Sequence, residues 1–227
     1  MEINADFSQA VFTHTSAIDW VPSPMPGVDR RMLDRIGDEV ARATSIVRYA
    51  EGSAFPEHMH GGGEEFIVLE GVFQDEHGDY PPGTYVRNPV GTHHIPRSEP
   101  GCTIFVKLWQ FDPEDQEQFA IDLNTLALQM DPQRPGVLHA SLAQRDYENV
   151  TLEAWGAGVS ANLVGEGGVE ALILEGSISH AGEVYTRHSW IRLPAGQSAK
   201  LTAGGEGARL WVKRDHLRTI RDPAQVA

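Results

Sequence analysis

Along the chain, apolar residues gather in short runs separated by glycine, proline and charged turns, and no long stretch sustains an apolar stripe at helical spacing. The runs ATSIVRY (43–49), EEFIVLE (64–70), TYVRNPV (84–90), CTIFVKLWQF (102–111), EALILE (170–175), SWIRLP (189–194) and ARLWVKR (208–214) are rich in Val, Ile, Thr, Phe and Trp. Such side chains fit a pleated surface, and short strands recurring between turns predict an all-β sandwich or barrel. Helix is predicted only as one or two turns in DPEDQEQF (112–119), where Asp112 before Pro113 offers an N-cap, and in the C-terminal RDHLRTIRD.

The pattern also repeats. Ile67-Val-Leu-Glu-Gly71 recurs as Leu172-Ile-Leu-Glu-Gly176, an offset of 105 residues (176 − 71), and the same offset carries Pro89-Val-Gly91 onto Pro194-Ala-Gly196. GCTIFVK (101–107) matches GARLWVK (207–213) at 106, one residue longer, as an insertion in a hairpin would produce. Three blocks in order at nearly constant displacement imply two copies of one β unit. The boundary is placed in the proline-rich segment QMDPQRPG (129–136), giving domains 1–130 and 131–227.

Composition narrows the partners. The 227 residues carry 18 Lys+Arg against 32 Asp+Glu, a formal charge of −14, which repels nucleic-acid backbones and anionic membrane surfaces. No basic leader followed by an apolar core opens the chain and no window is apolar enough to span a bilayer, so a cytoplasmic protein without nucleic-acid or membrane partners is expected. The single cysteine, Cys102, excludes an internal disulfide and reads as a buried strand residue. Strand edges on two such units make a homodimer the expected assembly.

Chemistry is concentrated in Gly52-Ser-Ala-Phe-Pro-Glu-His58-Met-His60-Gly-Gly-Gly-Glu64-Glu65-Phe-Ile-Val-Leu-Glu-Gly71. Side chains two apart on a strand share a face, so His58 and His60 point together, and Glu64 keeps that parity if the glycines insert no bulge; a bulge would favour Glu65. The three glycines allow positive φ or close backbone approach. A second segment, Gly83 to Gly91 followed by Thr92-His93-His94, brings another histidine pair that can return beside the first. Three imidazoles and a carboxylate suit Zn²⁺, Fe²⁺, Mn²⁺, Ni²⁺ or Cu²⁺, with room left for water or substrate. Of the adjacent histidines, His94 is taken as the ligand and His93 as facing away. His14, His77, His139, His180, His188 and His216 lack partner spacing and receive no role; His77 reads as a hairpin tip.

The joint spacing of these two segments resembles both motifs of the cupin superfamily, the double-stranded β-helix or jelly-roll metal proteins. The resemblance implies two tandem cupin jelly-roll domains and the metal ligands His58, His60, Glu64 and His94. The family's second motif continues with Asn four residues after its last ligand, where this chain has Ser98. At the 105-residue offset the four ligands fall on Leu163, Gly165, Val169 and Ala199, so the second domain is a degenerate cupin without metal. It is expected to pack against the first copy, form a dimer surface or hold an organic ligand.

More closely, WVPSPMPGVDRRML (20–33), EVARATSIVRYAEGSAFPEHMH (39–60), GGEEFIVLEGVFQDEHGDYPPGTYVRNPVGTHH (62–94) and GCTIFVKLWQF (101–111) are similar to ChrR-type cupins, the C-terminal domain of ChrR anti-sigma factors. That likeness implies zinc as the metal, with iron(II), manganese or nickel as alternatives, and a sensor or ligand-binding module for oxidative or small-molecule signals. It also implies a sigma-factor partner, yet the 19 residues before Trp20 are too few for the helical domain that binds it in that family. The alternative is an Fe(II)-dependent dioxygenase acting on a small diketone-like or aromatic substrate against apolar walls such as Phe66 and Val68.

Overall fold

The computed structural model describes residues 1–225, in which helix is confined to three-residue 3₁₀ turns at Thr15–Ala17, Leu123–Thr125 and Pro223–Gln225. No helix among the described residues is long and apolar enough to cross a membrane. Both predicted helical segments are irregular. Asp112 does act as a local cap, its Oδ1 accepting the amide of Glu114 at 3.0 Å, but the turn ends there and the chain runs extended into Phe119–Asp122. Asp and Asn satisfy a turn as readily as a helix start, which is why the cap signal misled.

The chain divides into two compact units. Among the described residues, one comprises 1–5, 18–125 and 221–225; the other comprises 6–17 and 126–220. The division differs from the expected 1–130 and 131–227 chiefly at the amino terminus, because Val11–Thr13 pairs antiparallel with Trp190–Leu193 and is an edge strand of the second unit's sheet. Three residues are too short a run to announce a strand in sequence.

In the first unit the large sheet takes the order Glu2–Ile3, Val28–Gly37, Ala41–Tyr49, Cys102–Leu108, Glu64–Gly71, Thr84–Asn88, Phe119–Asp122. A four-stranded sheet of short strands (79–80, 73–74, 97–98, 53–54) and a two-stranded ribbon (58–59 with 93–94) complete the jelly roll. Phe66, Val68, Val86, Ile104, Val106 and Phe73 form the core. Cys102 is buried there, its thiol pushed up to about 11 by burial. In the second unit a nine-stranded sheet encloses a larger apolar core.

The repeat has a structural cause. Gly71 and Gly176 both adopt positive φ (68° and 70°), and a Cβ at either would overlap the carbonyl oxygen of Gly101 or Gly207 on the neighbouring strand. Each follows the same irregularity by two residues: pairing skips Leu69 between Ile104↔Val68 and Thr103↔Glu70, and skips Leu174 between Ile173↔Leu210 and Glu175↔Arg209. The recurring Leu-Glu-Gly is thus a bulge that bends the central strand.

A second repeated feature was not legible as a motif. Arg87 and Lys107 flank Glu65 across adjacent strands, and Arg192 and Lys213 flank Glu170 in the same register. All six are buried. Glu65 accepts hydrogen bonds from Tyr85 Oη (2.6 Å) and Arg87 (3.3 Å), while Glu170 accepts one from Trp190 Nε1 (3.2 Å) and pairs with His216 at 2.9 Å. The interior positions that hold ligand candidates in the first unit are apolar in the second: Leu163, Val169 and Ala199 are buried members of its core cluster.

Two predictions follow from these packing relations. Gly71→Ala and Gly176→Ala should each cost about 3 kcal/mol, from αL strain plus overlap with backbone, read as a lowered denaturant midpoint. Burial alone would raise the pKa of Glu153, but Arg214, Arg134 and Trp155 hold it below the usual carboxylate value. Its stabilisation is therefore present above the ordinary glutamate pKa of about 4.3 and lost as pH falls through the lowered value. Glu153→Gln should be less stable at pH 7 and show a flatter acid limb in thermal denaturation monitored from pH 7 to 3.

Candidate metal centre

His58 and His94 are directly opposed residues of the short antiparallel ribbon, and His93 sits opposite Met59. The chain then holds His60 in place through its amide, which donates to Thr92 O at 2.8 Å, and its carbonyl, which accepts from Gly91 N at 2.9 Å. Glu64 opens the strand Glu64–Gly71, paired with Asn88 on one side and Leu108 on the other. These elements bring the four predicted residues together: donor atoms of His58, His60, Glu64 and His94 all lie within 4.8 Å of one another. The three rings stand edge-on, with centroids 5.2, 4.8 and 4.7 Å apart. His60, Glu64 and His94 are buried and His58 is exposed.

The glycines serve mainly close approach. Only Gly63 has positive φ (76°), and a Cβ there would overlap Phe111. Gly62 lies against the Trp109 indole so closely that a Cβ would overlap the ring, and Trp109 N and Phe111 N donate to the carbonyls of Gly63 and Gly62. The aromatic pair thus clamps the turn that sets Glu64 beside His60.

Hydrogen bonds fix each ring. Thr92 Oγ1 donates to Pro89 O (2.7 Å), so it accepts from His60 Nδ1 (2.9 Å); that tautomer leaves the His60 Nε2 lone pair directed at the cluster. His60 Nε2 is buried with no hydrogen-bond partner, and Glu64 Oε1 lies 3.5 Å from it and 3.7 Å from His94 Nε2. Such gaps are too long for hydrogen bonds. They come close to the roughly 3–3.5 Å that separates neighbouring ligands each about 2.1 Å from a common ion. An orphaned buried acceptor within a three-imidazole, one-carboxylate donor set fits a divalent metal.

On the outer side, His94 Nδ1 meets Asp75 Oδ2 at 3.3 Å, and Asp75 Oδ1 accepts from the amides of His77 and Gly78 and from Tyr80 Oη. Asn88 Nδ2 approaches Glu64 Oε1 at 3.4 Å and is held in turn by Gln118. The electrostatics of the two buried rings differ. Burial, aided by the neighbouring imidazoles, lowers the pKa of His60 against the pull of Glu64; burial also acts to lower that of His94, but Asp75 and Glu64 outweigh it and raise it. Asp75 and Thr92 escaped sequence reading because they touch the rings from loops; the only local hint was a hydroxyl two residues before His94.

Strand alternation places the alternatives at the site in different surroundings. Glu65 points to the opposite face, bound to Tyr85 and Arg87, and His93 is exposed, 3.5 Å from Glu57. Ser98, where the second motif departs from its pattern, donates to Val72 O at 2.6 Å and stays outside the cluster. A chamber of about 360 Å³ opens beside the cluster, with His58, His60 and Glu64 in its lining. Its apolar walls are Val47, Tyr49, Val106 and Leu108; the expected wall residues Phe66 and Val68 lie deeper, packed in the core.

Residues that touch a ligand's far nitrogen set its tautomer, and their loss typically lowers metal affinity 10–100-fold. Thr92→Val and Asp75→Asn are each expected to weaken Co²⁺ binding by about that range while leaving far-ultraviolet circular dichroism unchanged, measured by competitive chelator titration.

Comparison with known proteins agrees with this geometry. Residues 8–112 match the family model of the ChrR Cupin-like domain. No curated protein matches the chain in sequence. Among solved structures, a candidate dioxygenase from Nostoc punctiforme superposes with a TM-score of 0.77 at 15% identity, covering 94% of this chain and 85% of its own. YlbA from E. coli gives 0.69 at 12% identity over 95% and 94% of the two chains. An oxalate decarboxylase gives 0.56 at 10% identity over 90% and 76%. At these identities the likeness speaks for the fold alone. The chain therefore has the cupin fold, and its residues 8–112 match the ChrR Cupin-like domain.

Proposed function

We propose that the first unit is a mononuclear divalent-metal centre, with zinc as its resident ion, that binds a small organic molecule in the adjoining chamber and serves as a sensor or ligand-binding module of the ChrR type. The observation that carries this reading is the buried, hydrogen-bond-free Nε2 of His60 facing three further donors at the wall of a chamber. Without a cation the buried Nε2 of His60 is left desolvated and without a partner. About 360 Å³ lies within the range of small-molecule sites.

A bound dication would supply Lewis acidity and a coordination position open on the chamber side. The chain's own residues do the rest. Thr92 and Asp75 hold the ring tautomers, Asn88 orients Glu64, and Val47, Val106 and Leu108 limit water near the cluster. Tyr49 also lines the chamber; burial, then the charge of Glu64, pushes its pKa up, so the phenol stays protonated as a potential hydrogen-bond donor to a ligand.

The second reading is an Fe(II)-dependent dioxygenase acting on a diketone-like or aromatic molecule. It is favoured by the apolar chamber beside the cluster and by the similarity in fold to a protein described as a candidate dioxygenase. Elemental analysis of purified protein is expected to give about one divalent ion per chain, zinc in the main, and a His58→Ala, His94→Ala double variant is expected to lose it; full retention of metal by that variant would refute the ligand set. Dioxygen uptake by Fe(II)-loaded protein across β-diketones and catechols would decide for the enzyme. Silence there, with a structural response to singlet oxygen, decides for the sensor.

A further inference from the structure

In the strand pair Val28–Gly37 and Ala41–Tyr49, Val28 opposes Tyr49 and Arg30 opposes Val47. All four line the chamber beside the histidines, while the alternate residue Arg31 stacks over Trp20 at 4.3 Å. Strand periodicity therefore turns Arg30 inward, among apolar side chains.

Its lack of partners sets it apart from the other arginines of this unit. Those lie on an aromatic ring (Arg31), on backbone carbonyls (Arg35, Arg97) or on carboxylates (Arg42, Arg48, Arg87, Arg221). Arg30 is half-buried, its Nε is buried with no hydrogen-bond partner, and no ion pair among the described residues engages it. Glu39 lines the same chamber from an exposed position without pairing to it. A guanidinium N–H buried without an acceptor is costly, and the fork that carries it suits a carboxylate. In a chain of net charge −14, a local cation is also what an anionic ligand would need to approach.

We propose that Arg30 is the anion-recognition residue of the chamber, and that the ligand is an apolar or aromatic carboxylate: its oxygen-bearing end faces the His/Glu cluster and its carboxylate meets Arg30. This rests on the reading of the cluster as a metal site. The apolar walls between the two polar ends select a hydrophobic body, so the ligand class is an aromatic or alkyl acid with a chelating hydroxyl or keto group.

The test uses Co²⁺-loaded full-length protein and its visible absorption spectrum. Catechol reports on the metal site, and 3,4-dihydroxybenzoate and 3-(3,4-dihydroxyphenyl)propanoate are compared with their neutral carboxamides. The expected result is that catechol perturbs the spectrum and that at least one acid binds ten-fold or more tighter than its amide. Arg30→Gln should abolish that preference while leaving catechol affinity within two-fold, and Arg30→Lys should keep part of it. Equal binding of acid and amide for both pairs, or a preference that survives Arg30→Gln, overturns the assignment while the metal reading stands. A spectrum unmoved by catechol, with Co²⁺ bound, removes the metal-ligand reading and the role of Arg30 with it.

Discussion

The alternation of one strand organises the first unit. On Glu64–Gly71, Glu64, Phe66 and Val68 share one face and Glu65 points to the opposite face, where it is also buried, so two adjacent carboxylates enter unrelated environments. Glu64 joins three imidazoles; Glu65 is held between Arg87 and Lys107 on the neighbouring strands. A shift of one residue would exchange them, placing a carboxylate already committed to an arginine at the cluster and leaving the arginine and lysine facing a different side chain. Trp109 and Phe111, packed on the three glycines, prevent that shift by fixing where the strand begins.

The second unit is a control experiment within the same chain. It keeps the bulged Leu-Glu-Gly and the cross-strand glutamate with its arginine and lysine, and it replaces the ligand candidates with Leu163, Val169 and Ala199. Features retained in both copies are those the sheet needs to bend and to satisfy its buried charges; the feature found in one copy alone is chemistry. An apolar interior is easier to stabilise than a cluster of buried imidazoles, so the cluster carries a folding cost that a bound cation would offset.

Much of this was legible in sequence. The repeat announced itself through Gly71 and Gly176 because only glycine fits a positive φ against a neighbouring carbonyl, and the ligand candidates announced themselves because spacing of two on a strand is a geometric statement. What escaped notice depends on register between distant segments. Asp75 reaches His94 from a hairpin, Arg30 reaches the chamber only through its pairing with Val47, and Val11–Thr13 joins a sheet built almost entirely from residues beyond 125. Asp112-Pro113 was ambiguous for a different reason, since the same side chain caps helices and closes turns.

The central claim is that one cation occupies the space among His58, His60, Glu64 and His94. Anomalous diffraction from a crystal of the metal-loaded protein, collected on both sides of the metal's absorption edge, addresses it most directly. The account predicts a single strong peak per chain bounded by those three rings and that carboxylate. A peak elsewhere, or none at that position in protein shown to contain metal, would contradict it.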